Sequence, residues 1–307
     1  MTAPPLPSAP LARLLSDVRA AVDARLPDLV APEQAPDSLD PLPAAVREAL
    51  LSPGKRVRPA LVVLAGDLFG APRAKLVDGG AAIEMLHAAS LVLDDLPSMD
   101  DATTRRGRPA LHRVHGEAVA ILASVTLIVR AFGLLADAGL HPRRERGLPP
   151  GTALDLVWRL ADASGLAGLA SGQALDLVTG GGDATFDRLE TIHARKTGAL
   201  FVASAEFGAV VGGAREKELA ALRSYARNVG LAFQIVDDLL EAAGDEKETG
   251  KSARRAPAPT FVRHVGEKGA RTLVAELTDH ALDSLAPFGK KAALLREFAV
   301  MLRDRKS

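Results

Sequence analysis

Two groups of carboxylates in this 307-residue chain are spaced to do chemistry. Asp94 and Asp95 close the apolar stretch Leu91-Val92-Leu93, and Asp100 and Asp101 follow. Far downstream, Phe233-Gln234-Ile235-Val236 leads into Asp237 and Asp238, with Glu241 four positions after Asp237. Acidic side chains are rarely buried unless they are paired or bind metal. Asp237 and Glu241 fall on one helical face, where like charges repel unless a cation sits between them. Hard cations such as Mg²⁺ take one or two carboxylates, several waters and substrate phosphates. Either group alone reads as a solvated acidic helix end. Both together, with Gln234 a turn before Asp237, read as two walls of one polynuclear metal site.

Cations recur near these acids. Gly54-Lys55-Arg56-Val57-Arg58-Pro59 precedes an apolar helix, and such a turn can clamp an anion or lie exposed. Arg105, Arg106 and Arg108 follow the first acidic group. They suit a metal-bridged polyphosphate, or they neutralise the acids as surface pairs of little worth. Lys196-Thr197 interrupts an apolar helix and offers a compact charge and a hydroxyl. His87 lies two turns before Asp94 on the same face, which favours a ligand-facing role over a structural one.

The elements that must carry these residues read as helices. Apolar residues make up 48%, aromatics only 4%, and strand-favouring runs are scarce. Residues 1–10 are Pro-rich and read as disordered. Helices are expected over 11–26, 43–51, 60–69, 74–93, 111–138, 152–170, 186–207, 216–242, 260–285 and 290–303, with a lid-like loop over 246–259. Lys and Arg number 38 and so do Asp and Glu, so bulk charge does not point to nucleic acid. Cysteine is absent, which rules out thiolate sites and fits a cytoplasmic setting. The longest apolar run, 118–129, is too short to span a bilayer, so no integral membrane segment is expected.

Taken together, Gly-Lys-Arg-x-Arg-Pro, Asp-Asp-x4-Asp with Arg-Arg-Gly after it, Gly172-Gln173-Ala-Leu-Asp176-Leu, Lys196-Thr197-Gly198 and Phe233-Gln234-x-x-Asp237-Asp238 resemble the trans-isoprenyl diphosphate synthase (polyprenyl synthetase) family. The resemblance runs from about Gly54 to Arg271. It implies one all-α domain over 1–307, a helical bundle around a deep central cavity, working as a homodimer. It implies a trans-prenyltransferase that joins isopentenyl diphosphate head-to-tail to an allylic diphosphate. The implied cofactor is Mg²⁺, three ions per site, held by Asp94, Asp100 and Asp237, with Asp95, Asp238 and Glu241 in the same clusters. Arg105, Lys196, Thr197, Gln234 and Lys251 would meet the allylic diphosphate. Lys55, Arg58, His87 and Arg106 would hold isopentenyl diphosphate. Ala89 and Ser90, small residues before Asp94, would let the product grow to geranylgeranyl diphosphate (C20), with Leu86 and Ile83 as the next floor.

Four departures qualify the resemblance. Ser124-Val125 stands where the family has Gly-Asp, Glu241 replaces an Asp, and Pro53 replaces a Gly. The loop after Lys251 is shortened and lacks an acid and a second Lys. A weakly active partner subunit and a terpene cyclase on the same scaffold are the alternative readings.

Overall fold

The computed structural model describes residues 7–30, 39–180, 184–243 and 260–305. The chain is almost entirely helical. In order come α1 (Ala9–Leu29), α2 (Leu42–Leu50), α3 (Val57–Asp67) and α4 (Arg73–Asp94). A minimal hairpin, β1 (Thr104–Arg105) and β2 (Arg108–Pro109), precedes α5 (Leu111–His115) and α6 (Glu117–Leu140). Then follow α7 (Pro150–Ser164), α8 (Leu169–Thr179) and α9 (Phe186–His193). A π-helical turn, Ala194–Gly198, joins α9 to α10 (Ala199–Val211). The chain closes with α11 (Glu216–Ala243), α12 (Phe261–Ser284), a 3-10 segment (Ala286–Ala292) and α13 (Ala293–Arg303).

Several boundaries differ from those expected, each for a local reason. The first helix starts at Ala9, inside the stretch expected to be disordered, because Ser8 accepts the Leu11 amide as its cap. It runs through Pro27 to Leu29, into the expected loop. The single helix expected over 111–138 is split at Gly116, whose φ of 82° suits glycine. The helix expected over 152–170 breaks after Ser164, and α8 starts afresh at Leu169. The hairpin was not foreseen: Arg106 and Gly107 both take positive φ, 53° and 75°, as a tight two-residue turn demands. The expected lid over 246–259 lies outside the described residues.

Helix α4 is the central post, flanked by α3, α6 and α10. One apolar cluster draws on helices from α1 to α13, and Tyr225 is fully buried in it with its hydroxyl donated to the Leu295 carbonyl (2.7 Å). A smaller cluster under α11 and α12 centres on Phe261, edge-on to Phe186 at 5.6 Å. Close approach is enforced where α10 crosses α3. A β-carbon on Gly208 would stand 2.0 Å from the Val62 carbonyl oxygen.

Two helices, Arg73–Asp94 and Glu117–Leu140, are long and apolar enough to cross a membrane by length and composition. The apolar run ends at Val129, but the helix that carries it continues past Arg130 to Leu140. The first of the two is mostly buried inside the fold, whereas the second leaves much of its surface uncovered. Arg130, midway along it, donates to the Leu29 carbonyl at 3.0 and 3.1 Å, which ties α6 to the end of α1.

Gly208→Ala is expected to lower stability by about 1–3 kcal/mol, the usual cost of overpacking. Urea unfolding of the two proteins side by side checks this; an unchanged midpoint would show that α3 and α10 can separate freely.

Candidate active site

The first acidic group sits where α4 ends. Asp94 is its last residue and Asp95 its cap. The chain then folds back, with the Asp100 amide on the Asp94 carbonyl (2.9 Å) and the Ala102 amide on the Asp95 carbonyl (3.2 Å). This turn brings the backbones of Asp94 and Asp100, separate in sequence, together, and within it Asp101 takes φ 47° and accepts from Arg113. Asp95 is buried, and Arg105 forks onto it with Nε 3.0 and 3.1 Å from its two oxygens. Asp95 therefore holds Arg105 in place.

The second group lies on the last two turns of α11. Asp237 is part-exposed and Glu241 exposed, on one face. Asp238 is buried and faces elsewhere. Its Oδ2 accepts the Phe261 amide (3.0 Å), so it caps α12, and its Oδ1 accepts from Gln234 (3.2 Å). Burial pushes its carboxyl up to about 6, against those two hydrogen bonds. Asp95 and Asp238 thus serve protein donors; Asp94, Asp100 and Glu241, together with Asp237, whose Oδ1 accepts from Arg305 (2.7 Å), are the carboxylates that could hold a metal.

The π turn explains why Lys196 and Thr197 can interrupt an apolar helix. One extra residue in the turn re-aims the side chains, as π-bulges at functional sites do. Lys196 Nζ donates to Asp176 of α8 (2.7 Å). Burial opposes its charge, yet Asp94, Asp176 and Asp100 together raise its pKa, so the ammonium faces the first acidic group. Thr197 donates to Gln234 (2.9 Å), which links the π turn through Gln234 and Asp238 to the start of α12. Gly172 is required here: a β-carbon would stand 2.3 Å from the Lys196 amide nitrogen.

The other cations gather on the opposite side. Lys55 lies close enough to Asp237, Arg106 and Arg305 for each to act on its charge, although burial is the larger effect and lowers its pKa. Arg58 lies 5.1 Å over the Phe201 ring and is influenced by Glu84, Asp237 and Arg106. His87 is held well below its ordinary pKa, first by burial and then by Arg58, Arg106, Arg105 and Arg56, so it is neutral near pH 7. Arg106 donates to the Pro53 carbonyl (2.7 Å), which braces the hairpin on the Gly54-Lys55 turn.

The chain-length positions separate. His87, Ser90, Leu91 and Asp94 form an accessible stripe along α4, and the Ser90 hydroxyl donates to the His87 carbonyl (2.9 Å). Ala89 and Ile83 have no exposed surface and Leu86 almost none. Lys251 lies outside the described residues.

A family profile, Polyprenyl synthetase, matches residues 40–255. The chain belongs to the polyprenyl synthetase family. Geranylgeranyl pyrophosphate synthase 11, chloroplastic, of Arabidopsis thaliana is 41% identical to it over 269 residues, 85% of this chain and 74% of the relative. An FPP/GFPP synthase of Zymomonas mobilis, solved as an apo structure, superposes with a TM-score of 0.85 at 34% identity, over 96% of this chain and 99% of that one. A geranyltransferase of Helicobacter pylori, solved with magnesium and isoprenyl diphosphate, gives 0.81 at 27% identity, over 96% and 97%.

The polyprenyl synthetase site fits Mg²⁺ by its chemistry. All its donors are carboxylate oxygens. Among the described residues no three acids or imidazoles stand close enough to enclose an ion unaided. A Mg²⁺ ion there would take one or two of these carboxylates, several waters and the oxygens of a substrate phosphate.

The sequence reading missed several parts of this site. Asp176 was quoted within its motif but not recognised as the partner of Lys196. Arg56 is buried at φ 50° and donates to Asp23 of α1 (2.7 Å), Glu84 of α4 (2.6 Å) and the Ser52 carbonyl (3.1 Å). It anchors the turn from which Lys55 and Arg58 extend. Its neighbours in a basic run hid it, and only an intervening position between two cations hinted at a different duty. Arg305 reaches the second acidic group from the C-terminus with no motif to announce it.

His193, just before the π turn, has neither ring nitrogen hydrogen-bonded among the described residues. Burial lowers its pKa from 6.5 to about 4, with Asp176 and Lys196 acting in opposite senses. A base whose folded pKa is depressed stabilises the fold fully above its unfolded pKa. That contribution is lost as pH falls from 6.5 towards 4, up to roughly 2–3 kcal/mol. Urea unfolding across that window is expected to show a shallower acid loss for His193→Phe than for the wild type. Identical slopes would mean that the imidazole is protonated without cost in the fold.

Proposed function

We propose that this polyprenyl synthetase condenses isopentenyl diphosphate head-to-tail with an allylic diphosphate, and that geranylgeranyl diphosphate is its main product. The observation that carries the reading is the division of the site into two halves of opposite character. On one side Lys196 faces Asp94, Asp100 and Asp176. On the other, Arg58, Arg106, Arg105 and Arg56 act on a neutral, buried His87, and Lys55 stands near Arg106. The acidic half suits a metal-bridged diphosphate and the basic half a diphosphate that binds without metal.

Bound Mg²⁺ would neutralise the allylic diphosphate and supply the Lewis acidity that favours its departure. Asp94, Asp100, Asp237 and Glu241 supply the oxygens. Lys196 and Arg105 receive the departing negative charge, and Thr197 and Gln234 stand beside it. The guanidiniums of Arg58 and Arg106 fork onto the second diphosphate while Lys55 adds a point charge. His87, neutral, offers an N–H without adding charge. No nucleophilic side chain is needed: positioning and electrostatic stabilisation carry the reaction.

Ser90 sets the depth of the cavity in this reading, since it alone of the small pair before Asp94 has open space beside it. A homodimer through α6 and α7 is part of the same proposal. Ile121, Leu122, Val125 and Val129 form an exposed apolar stripe on α6, next to Leu154 and Trp158 on α7. A second copy accounts for this face better than a bilayer, because Arg130 at mid-helix would cost about 2.5–3.5 kcal/mol at a membrane centre.

With Mg²⁺, labelled isopentenyl diphosphate and the C5, C10 or C15 allylic primers, the purified protein is expected to yield a C20 product after dephosphorylation. Ser90→Phe is expected to shift the product to C15 with turnover retained. A wild-type product that stops at C15 would remove the argument from Ser90. No consumption of isopentenyl diphosphate with any primer would overturn the enzymatic reading.

A further inference from the structure

The C-terminus returns to the acidic wall. After α13, Arg303 and Asp304 pair with each other at 2.7 and 2.9 Å, and Arg305 turns inward. Its Nη2 donates to the Phe233 carbonyl and to Asp237 Oδ1, both at 2.7 Å. The guanidinium lies 3.6 Å over the Phe233 ring. Only 12% of the Arg305 side chain is exposed, against 44% for Asp237, and its Nε has no hydrogen-bond partner among the described residues.

This is a specific seat. An aromatic face, a main-chain carbonyl and a carboxylate each engage one guanidinium. The cation is permanent, since arginine does not lose its proton in proteins. It stands on one of the carboxylates assigned above to Mg²⁺. A divalent ion approaches a carboxylate oxygen to about 2.0–2.1 Å. A guanidinium in contact with that same oxygen blocks the approach and repels the ion.

We propose that Arg305 is the resident counter-ion of Asp237, and that it and the divalent cation take the Oδ1 oxygen of this carboxylate alternately. Loading the second acidic wall then requires the C-terminal residues to leave their seat on Phe233. The tail sets the metal affinity of that wall. This rests on the assignment of Asp237 as a metal ligand, and the test separates the two.

Binding of Mn²⁺ in the presence of inorganic diphosphate, followed by electron paramagnetic resonance of the free ion, gives a readout without turnover. Arg305→Gln keeps length and polarity but removes the charge. It is expected to tighten one Mn²⁺ site about threefold to tenfold, with Arg305→Lys between it and the wild type. Asp237→Asn is expected to lose that site. Thermal unfolding of each variant confirms that the bundle remains folded. If Asp237→Asn loses the site while Arg305→Gln binds Mn²⁺ as the wild type does, the exchange is refuted and the ligand assignment stands. If Asp237→Asn leaves Mn²⁺ binding unchanged, the ligand assignment itself falls, and the exchange with it.

Discussion

The site depends on negative charge placed where helices are already negative. A helix C-terminus carries the equivalent of about half a negative charge, and acids there are unfavourable. Yet Asp94 and Asp95 end α4, and Asp237, Asp238 and Glu241 lie on the last turns of α11. The fold answers this differently at each carboxylate. Asp95 is forked by Arg105, Asp238 is hydrogen-bonded as a cap and pushed up to about 6 by burial, and Asp237 is met by Arg305. Lys196 supplies a positive charge to Asp94 and Asp100. The remainder of the imbalance is what a divalent cation would relieve.

The backbone is irregular at the same places. The non-glycine residues with positive φ among the described residues are Arg56, Asp101 and Arg106, and each sits in a turn that carries site cations or acids. The π turn carries Lys196 and Thr197. Such conformations cost of order 1–3 kcal/mol each and persist only where surrounding contacts over-determine them. Arg56 shows how this is done: two carboxylates from two different helices and a carbonyl hold its guanidinium. With that group fixed, Lys55 and Arg58 on either side have a defined direction. Rigid helices and pinned turns together give a long charged side chain a place to stand without continuous helical support.

Much of this was legible in the sequence because acids at fixed spacing on apolar helices are costly patterns, seldom met without cause. The helical class, the two acidic walls and the opposing cations follow from such patterns and from composition. What escaped depends on approach in three dimensions. Asp176 and Lys196 are 20 residues apart and meet only because Gly172 lets α8 touch the π turn. Arg305 meets Asp237 across 68 residues, through the packing of the last helix. The split at Gly116 was readable in principle, since a glycine between two polar residues is a known breaker. It was masked by the apolar run that follows. The ends of α1 were missed because a serine cap before proline outweighed the Pro-rich composition that suggested disorder.

The charge environment also differs between the two diphosphate sites proposed above. Lys55, Arg58, Arg106 and His87 are all shifted in the same sense: burial, the largest cause at each, makes each a poorer cation, and cationic neighbours add to it, while Glu84 opposes the shift at Arg58 and Arg106 and Asp237 opposes it at Lys55 and Arg58. Lys196 is shifted in the opposite sense by its acidic neighbours. A group of buried cations that repel one another gains most from an anion with no metal attached, because a metal would bring back the charge that the site already has in excess. A cluster of carboxylates gains only from an anion that arrives with cations. On the proposed assignment, the fold would sort two substrates bearing the same head group by whether metal accompanies it. It would do so with charges that Arg58 and Arg106 cannot give up, and with a histidine kept neutral first by its burial and then by the guanidiniums around it.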